Sequence, residues 1–397
     1  MVAGFADAAG RVVSLVRFSH PTQTRLLVEL VLAFQASGRE VNAAMEPTGV
    51  YGDSLRYQLV SHGIDVFRVD PKRAHDVALV LDGVASQHDP KACTLIAFLH
   101  AQGISSRWRE RSSLESNART LVDEHAMLAL PLERLYGRIE AATATHWPEL
   151  NALIDQRTHW YLHLLAEFPA PLIAAQHADA VRSLLRRKTY GALSTERIDV
   201  VVRSAHDSLG VPTTEHQRAL VQLTAREILA ARARVDDVES RMRALVRTNA
   251  GCASLARALG PAATVAMLAD VGDPAAFASA AALEKACGLN LRERSSGKHQ
   301  GRLHISKRGS TRVRQYLFLA ALRMIANDAI VRRWYERRGA YRAGLKHKAI
   351  VAVMRKLARA AHHVARGDAF DANKLFDVRR LSTRSESTSH TSRGVTT

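Results

Sequence analysis

The first hundred residues alternate between two hydrophobic periods. In "RVVSLVRFS" (11–19), "EVNAAME" (40–46) and "IDVFRVD" (64–70) apolar and β-branched residues alternate or run together, the pattern of a strand covered on one or both faces. Between them, apolar residues recur at helical spacing from Pro21 to about Ala36 and through "GDSLRYQLVSHG" (52–63), which Gly63 stops, and Pro71 begins another helix. The order β-α-β-α-β-α predicts an α/β fold, a sheet with parallel members and covering helices. Ligands in such folds gather at the carboxyl ends of strands, where Glu46 stands, followed by "PTGVYG". Further on, "SQHDPKACTLIAFLHAQG" (86–103) sets Asp89 at the mouth of a helix. A second acid three residues on would share its helix face. That position holds Ala92.

The pattern then changes. Residues 112–246 have few strand signals, and two stretches, "ESNARTLVDEHAMLALPLERLYGRIEAATA" and "TTEHQRALVQLTAREILAARARVDDVESRMRALV", repeat apolar residues at helical spacing with charges between. They predict long antiparallel helices or a coiled-coil arm serving assembly or spacing, with turns at "FPAPLIA" and "KTYGALS". From residue 247, Ala-rich helix broken by glycines leads to a polar loop, "NLRERSSGKHQGRLHISKRGS", and then to helices ending near Arg366. The expected division is therefore 1–111, an α/β domain; 112–246, helical; 247–378, a mainly α, basic domain; and 379–397, a disordered tail without apolar periodicity.

Charge adds a partner to this outline. The chain of 397 residues carries a net charge of +18, unevenly spread. Residues 1–100 hold 9 Lys/Arg against 10 Asp/Glu, whereas residues 288–366 hold 20 against 3. A charge excess confined to one segment predicts a surface for nucleic acid. No run of about 18 apolar residues suggests a membrane span, and the N-terminus lacks a secretory pattern. Cys93, Cys252 and Cys287 form neither a disulfide framework nor a zinc knuckle. A reducing cytoplasm, with the protein on the bacterial nucleoid, is the expected location.

Two constellations carry candidate chemistry. Glu46 and Asp89 could supply two of the three or four carboxylates that a two-metal phosphoryl-transfer site needs. Equally, a Glu before Pro is commonly solvated, and an Asp at a helix start is commonly a cap. The loop "RERSSGKHQGRLHISKRGSTRVR" places Ser295 and Ser296 before Gly297 among eight cations, Arg292, Arg294, Lys298, Arg302, Lys307, Arg308, Arg312 and Arg314, with only Glu293 against them. A serine attacks a phosphodiester when cations stabilise the developing charge; the plainer alternative is a basic loop whose serines touch phosphate or water. Arg332, Arg333, Arg337 and Arg338, and Lys346, Lys348, Arg355, Lys356 and Arg359, mark phosphate-contacting helix faces. Trp334, Tyr335 and Tyr341 between them suit base stacking or ordinary core anchoring. His362 and His363, adjacent on a helix, point different ways and do not read as a metal site.

Taken together, the blocks "AAMEPTGVYG", "SQHDPKACTLIAFLHAQG", "FASAAALEKACGL", "RSSG" and "HISKRGSTRVRQYL" resemble the insertion-sequence transposases with a RuvC-like DEDD domain, which include the Piv/MooV DNA invertases and the bridge-RNA-guided recombinases. The resemblance spans about Val2 to Phe376. It implies an RNase H/RuvC-like N-terminal domain whose carboxylates bind Mg²⁺, and a C-terminal domain whose serine links covalently to DNA. The two would build a composite site in an oligomer, a homodimer or homotetramer, working with DNA and a guide RNA. Mapped by position, Glu46 is the second acid, Asp89 the third, and Ser296 the nucleophile, with Ser295 as the fallback. The family's first acid ends a strand preceding the segment matched by "MVAGFADAAGRVVSL", so that strand and its acid are expected to be missing; Asp7, in the following turn, and Asp82 are poor substitutes. The fourth acid maps to Ala92. Three readings follow: an active recombinase, a degenerate copy that retains only nucleic-acid binding, and a nucleic-acid-binding scaffold of other ancestry.

Overall fold

The computed structural model describes residues 1–47, 51–82, 88–293, 303–339, 341–342, 344–377 and 379, with backbone alone at 79–82. It divides into two compact units, Met1–Glu110 and Arg111–Thr397, and is mainly helical.

The first unit begins with a hairpin, β1 (Val2–Ala6) and β2 (Val12–Arg17), paired antiparallel from Val2–Arg17 to Ala6–Val12. Asp7 shapes its turn: the carboxylate accepts hydrogen bonds from the Ala9 and Arg11 amides and from Arg11 Nε. Those contacts, led by the Arg11 amide, hold its pKa below the usual carboxylate value. Next come α1 (Thr24–Ala36), β3 (Asn42–Met45), α2 (Asp53–Ser61), β4 (Asp65–Arg68), α3 (Pro71–Asp82), α4 (Asp89–Ala101) and the short β5 (Ser106–Arg107). α1 starts three residues after Pro21, because a turn in which the Gln23 side chain accepts from the Ser19 amide comes first. β3 and β4 pair in parallel and β5 joins β4 antiparallel. The expected parallel pairing is thus confined to β3–β4, while the N-terminal hairpin forms a sheet of its own. That hairpin packs on α1 through Phe5 and Phe34, with ring centroids 5.5 Å apart, and approaches α4 closely enough that a Cβ on Gly4 would lie 2.9 Å from Cys93 Cβ.

The second unit is organised by two long helices, α5 (Ser113–His146) and α11 (Glu215–Arg247). Each opens with a capping box, Ser112 with Glu115 and Thr214 with Gln217, which satisfies otherwise orphaned amides. They run antiparallel: Glu124 near the start of α5 pairs with Arg241 near the end of α11, and His146 at the end of α5 bonds the Val211 carbonyl ahead of α11. Between them lie α6 (Pro148–Leu153), α7 (His159–Glu167), α8 (Pro171–Gln176), α9 (Ala178–Lys188) and α10 (Thr195–His206). These five close a core over the far halves of the long pair, including Ile139, Trp147, Leu165, Leu184 and Ile228. The pair is therefore covered by its own intervening chain along this half, a packed helical body rather than a bare coiled-coil arm.

The near halves of α5 and α11 carry a second core. It is closed by α12 (Ala250–Leu259), α13 (Pro261–Asp270), α14 (Ala280–Ala286), α15 (Thr311–Asn327), α16 (Ala329–Arg337), α17 (Lys346–Ala365) and α18 (Ala372–Leu375). A two-stranded hairpin, β6 (Leu291–Arg292) with β7 (His304–Ile305), interrupts these helices. Phe376, fully buried, seals the core against Trp334, with ring centroids 5.5 Å apart in an edge-to-face arrangement. Trp334 is accordingly a core anchor, whereas Tyr341 is exposed and its hydroxyl donates to Glu336. Among the described residues, no helix is long and apolar enough to cross a membrane.

Candidate functional site

In the first unit, β3 and α4 fix where the two carboxylates lie. His100, at the end of α4, meets Asn42, at the start of β3, through its Nε2 at 2.9 Å. The His100 ring also packs on Phe67 of β4 at 4.6 Å. From that contact β3 advances four residues to Glu46, roughly 13 Å at strand rise, while α4 runs back eleven residues to Asp89, roughly 16 Å at helix rise. Glu46 thus directly follows the end of β3, and Asp89 is the first residue of α4.

Their surroundings differ. Glu46 is half-buried, and desolvation raises its pKa above the usual carboxylate value. Asp89 is exposed and is the first residue of α4 rather than its cap. The cap is His88, whose Nδ1 accepts from the Lys91 amide at 3.2 Å. The sequence reading of Asp89 as a simple cap is thereby replaced, because capping is done by its neighbour. Cys93, one turn along, sends its thiol toward the Val2 carbonyl at 3.6 Å, and burial, reinforced by the Asp89 charge, pushes its pKa up. Ala92 lies half-buried between them. Among the described residues no group of three or more His, Cys, Asp or Glu could hold a metal. Mg²⁺ commonly takes one or two carboxylates and fills its shell with water and phosphate oxygens; two carboxylates do not by themselves fit a two-metal site. Asp82 belongs to α3, and its side chain lies outside the described residues.

In the second unit, the serine loop hangs from the hairpin β6–β7. Arg294, Ser295, Ser296, Gly297, Lys298 and Arg302 lie outside the described residues, but the base of the hairpin is defined. Leu291 faces Ile305 and Arg292 faces His304. Below them the Ser306 amide donates to the Asn290 carbonyl at 2.8 Å, and the Ser306 hydroxyl, almost buried, reaches the Asn290 side chain. Lys307 adopts a left-handed φ of 55°, and its amide donates to the Gly288 carbonyl at 3.1 Å. Gly288 and Gly309 then touch backbone to backbone: a Cβ on Gly309 would stand 2.2 Å from the Ala286 carbonyl oxygen and 2.5 Å from the Gly288 nitrogen. Only glycine permits that approach.

The five described cations of this segment divide by role. Arg292, Lys307 and Arg308 are exposed. Arg314 instead clamps the hairpin base, donating to the Gly309 carbonyl at 2.9 Å and to the Thr311 hydroxyl at 3.0 Å. Arg312 is held by Asp270 at the end of α13 and by Asp123 of α5, and these hydrogen bonds, led by that to Asp270, raise its pKa despite desolvation. Arg119 and the Ser310 hydroxyl converge on the same Asp270. Burial pushes the Asp270 pKa up, but the Arg312 and Ser310 hydrogen bonds and the two arginine charges outweigh it, and the net shift is downward. Asp270 escaped the sequence reading because its partners stand about 40 residues after it and 150 before it, with no local pattern to join them.

The other basic helices are partly engaged as well. Arg355 bonds buried Glu284 at 2.7 Å, Lys356 donates to the Leu375 carbonyl at 2.6 Å, and Arg332 caps carbonyls at the end of α15. Arg333, Arg337, Arg338, Lys346 and Lys348 are exposed. His362 is buried with Nε2 on the Phe277 carbonyl and His363 is exposed, yet their rings meet edge to face with centroids 5.2 Å apart, so the two side chains diverge less than adjacent helical positions suggest.

Residues 256–336 match the model of the transposase IS116/IS110/IS902 family, which supports an insertion-sequence transposase. The match runs from the last turn of α12 through α13, α14, the hairpin and α15 to nearly the end of α16. It stops short of α17, whose Ile350, Val353 and Leu357 complete the same core. No curated protein matches the chain.

Proposed function

We propose that the chain is a DNA transposase or recombinase of an insertion sequence, guided by an RNA, with Ser296 as the nucleophile and Mg²⁺ held by Glu46 and Asp89. The observation that carries this reading is that the family match is centred on the hairpin whose clamped base holds the Ser-Gly loop. The exposed cations at that base and on α16 and α17 supply the charge that a polyanionic substrate requires. In this reading the N-terminal unit is RuvC-like, its carboxylates ending a parallel strand and opening a helix.

The chemistry assigned to the chain's own groups is brief. Ser296 Oγ attacks a DNA phosphorus, forming a serine phosphodiester as the bond to the leaving deoxyribose oxygen breaks, and the serine proton ends on that oxygen. Attack by the hydroxyl of another strand reverses the step and frees the serine. Arg292, Lys307 and Arg308 stabilise the charge that develops on the phosphate oxygens. Glu46 and Asp89 would hold Mg²⁺ in the N-terminal unit, where the ion, when bound, would supply neutralisation of phosphate oxygens. Glu46 must be deprotonated to take part, so its raised pKa makes cation binding fall away earlier on acidification than for an ordinary glutamate.

A second reading has its own observation. Ala92 stands where a further acid would share the Asp89 face, and among the described residues no third ligand is grouped there. A degenerate copy would keep nucleic-acid binding and lose strand transfer. The two separate in a recombination assay on plasmids carrying the insertion-sequence ends and target, run with the native chain and Ala92→Asp. The active reading predicts recombinants from the native chain, with the variant within about threefold of it, a difference under ~1 kcal/mol in barrier. The degenerate reading predicts none from the native chain. Failure of both proteins to recombine any substrate overturns the active reading and leaves the degenerate one.

A further inference from the structure

The turn after α9 contains a residue that its local geometry does not favour. The Tyr190 amide bonds the Arg187 carbonyl at 3.3 Å and the Gly191 amide bonds the Arg186 carbonyl at 3.0 Å, the paired closure that ends helices with a left-handed residue. Glycine normally fills that place, because an L side chain is strained there. Here Tyr190 fills it at φ 52°, with glycine only at the next position. Its side chain is 98% exposed and so offsets none of that strain by packing.

The same turn is ringed by positive charge. Arg186 and Arg187 are exposed and Lys188 is half-buried; none has an ion-pair partner among the described residues. Lys188 faces α7, where His159 and His163 pack edge to face at 4.5 Å. Burial, then Lys188 and His159, drive the His163 pKa down to about 4, and burial, Arg232 and Lys188 lower that of His159 against the opposing charge of Asp236. Arg182, by contrast, is neutralised by Asp179 and Asp199. Cations in the last turn of a helix complement its dipole, which accounts for three basic residues there. It does not account for a strained, wholly exposed tyrosine beside them.

We propose that Tyr190 with Arg186, Arg187 and Lys188 forms a second nucleic-acid contact surface, on the helical body, that takes an unpaired nucleotide strand. The cations hold phosphates, and the tyrosine ring, projecting from a fixed turn, stacks on a base. Stacking requires a base free of its helix, which selects single strands over duplex. The inference does not depend on Ser296 or on the carboxylates.

The full chain, mixed with an oligouridylate carrying 5-iodouracil, its DNA counterpart, and a duplex containing the same strand, provides the test. After irradiation and trypsin, residues 189–197 form one peptide, which is expected to carry the cross-link with the single strands and not with the duplex. Tyr190→Phe is expected to keep the yield. Tyr190→Gly is expected to lower it about tenfold, in line with stacking energies, while raising the melting temperature by relieving the turn, a combination that a structural role does not give. Arg186→Gln with Arg187→Gln is expected to flatten the dependence of log K on log salt by about 1.4, two contacts on a single strand. Comparison of the RNA and DNA arms identifies which strand is held. Absence of the cross-link, equal labelling by duplex, or an unchanged yield with Tyr190→Gly overturns the proposal.

Discussion

Gly309→Ala is expected to lower the stability of the C-terminal core by roughly 3–4 kcal/mol, the range of severe overpacking against backbone. The added Cβ would stand 2.2 Å from the Ala286 carbonyl oxygen and 2.5 Å from the Gly288 nitrogen, and neither atom belongs to a side chain that can turn away. Relief would require the helix end of α14 and the hairpin base to separate, breaking the Lys307–Gly288 hydrogen bond and the Arg314 clamp. Gly344 serves as the control, since it also has a positive φ, 73°, but among the described residues no neighbour within 4 Å of its would-be Cβ. Gly344→Ala is expected to cost only the backbone term of about 1 kcal/mol. Urea titration read by tryptophan fluorescence should separate the two variants clearly. Equal midpoints would show that the glycine contact is not tight.

Asp270→Asn carries the second large effect. The carboxylate gathers Arg312, Arg119 and Ser310 and so ties α13, α5 and the start of α15 together. With the charge removed, Arg312 keeps only Asp123, and two guanidinium groups face each other over a neutral amide. Breaking a largely desolvated pair in this way costs about 3 kcal/mol. The pH dependence has a defined sign. Because the folded-state pKa of Asp270 is depressed, its stabilising contribution is complete above the unfolded value, near 3.9, and is lost as pH falls through the folded value. The gap between native chain and variant should therefore be full at pH 7 and narrow below about pH 4. A gap that stays constant to pH 2 would mean that the carboxylate charge is not what holds the junction.

The limits of the sequence as a guide can be traced residue by residue. Period and punctuation located β3, β4, α2 and α4, because alternation, Gly63 and the Pro90 that follows Asp89 are local signals. The capping boxes likewise mark where α5 and α11 begin. What local signals do not contain is partnership across the chain. Nothing near Arg312 or Arg314 distinguishes them from Arg292 or Arg308, yet two are internal clamps and two are exposed. The short helices α6–α10 were hidden in the same way, since their burial depends on the long pair that they cover. For the candidate site, the end of β3 and the start of α4 were legible as places for Glu46 and Asp89. What joins the two elements, the Asn42–His100 contact, links residues 58 apart in sequence and has no local signal.

The central claim, strand transfer by a serine, is most directly tested by trapping a covalent protein–DNA adduct. The full chain would be incubated with Mg²⁺ and labelled DNA carrying the insertion-sequence ends, together with RNA transcribed from the flanks, then denatured and resolved by size. A labelled adduct is expected from the native chain, with its loss in Ser296→Ala, its retention in Ser295→Ala, and release of the label by treatments that cleave a serine phosphodiester. An adduct that persists when both serines are replaced would contradict that claim.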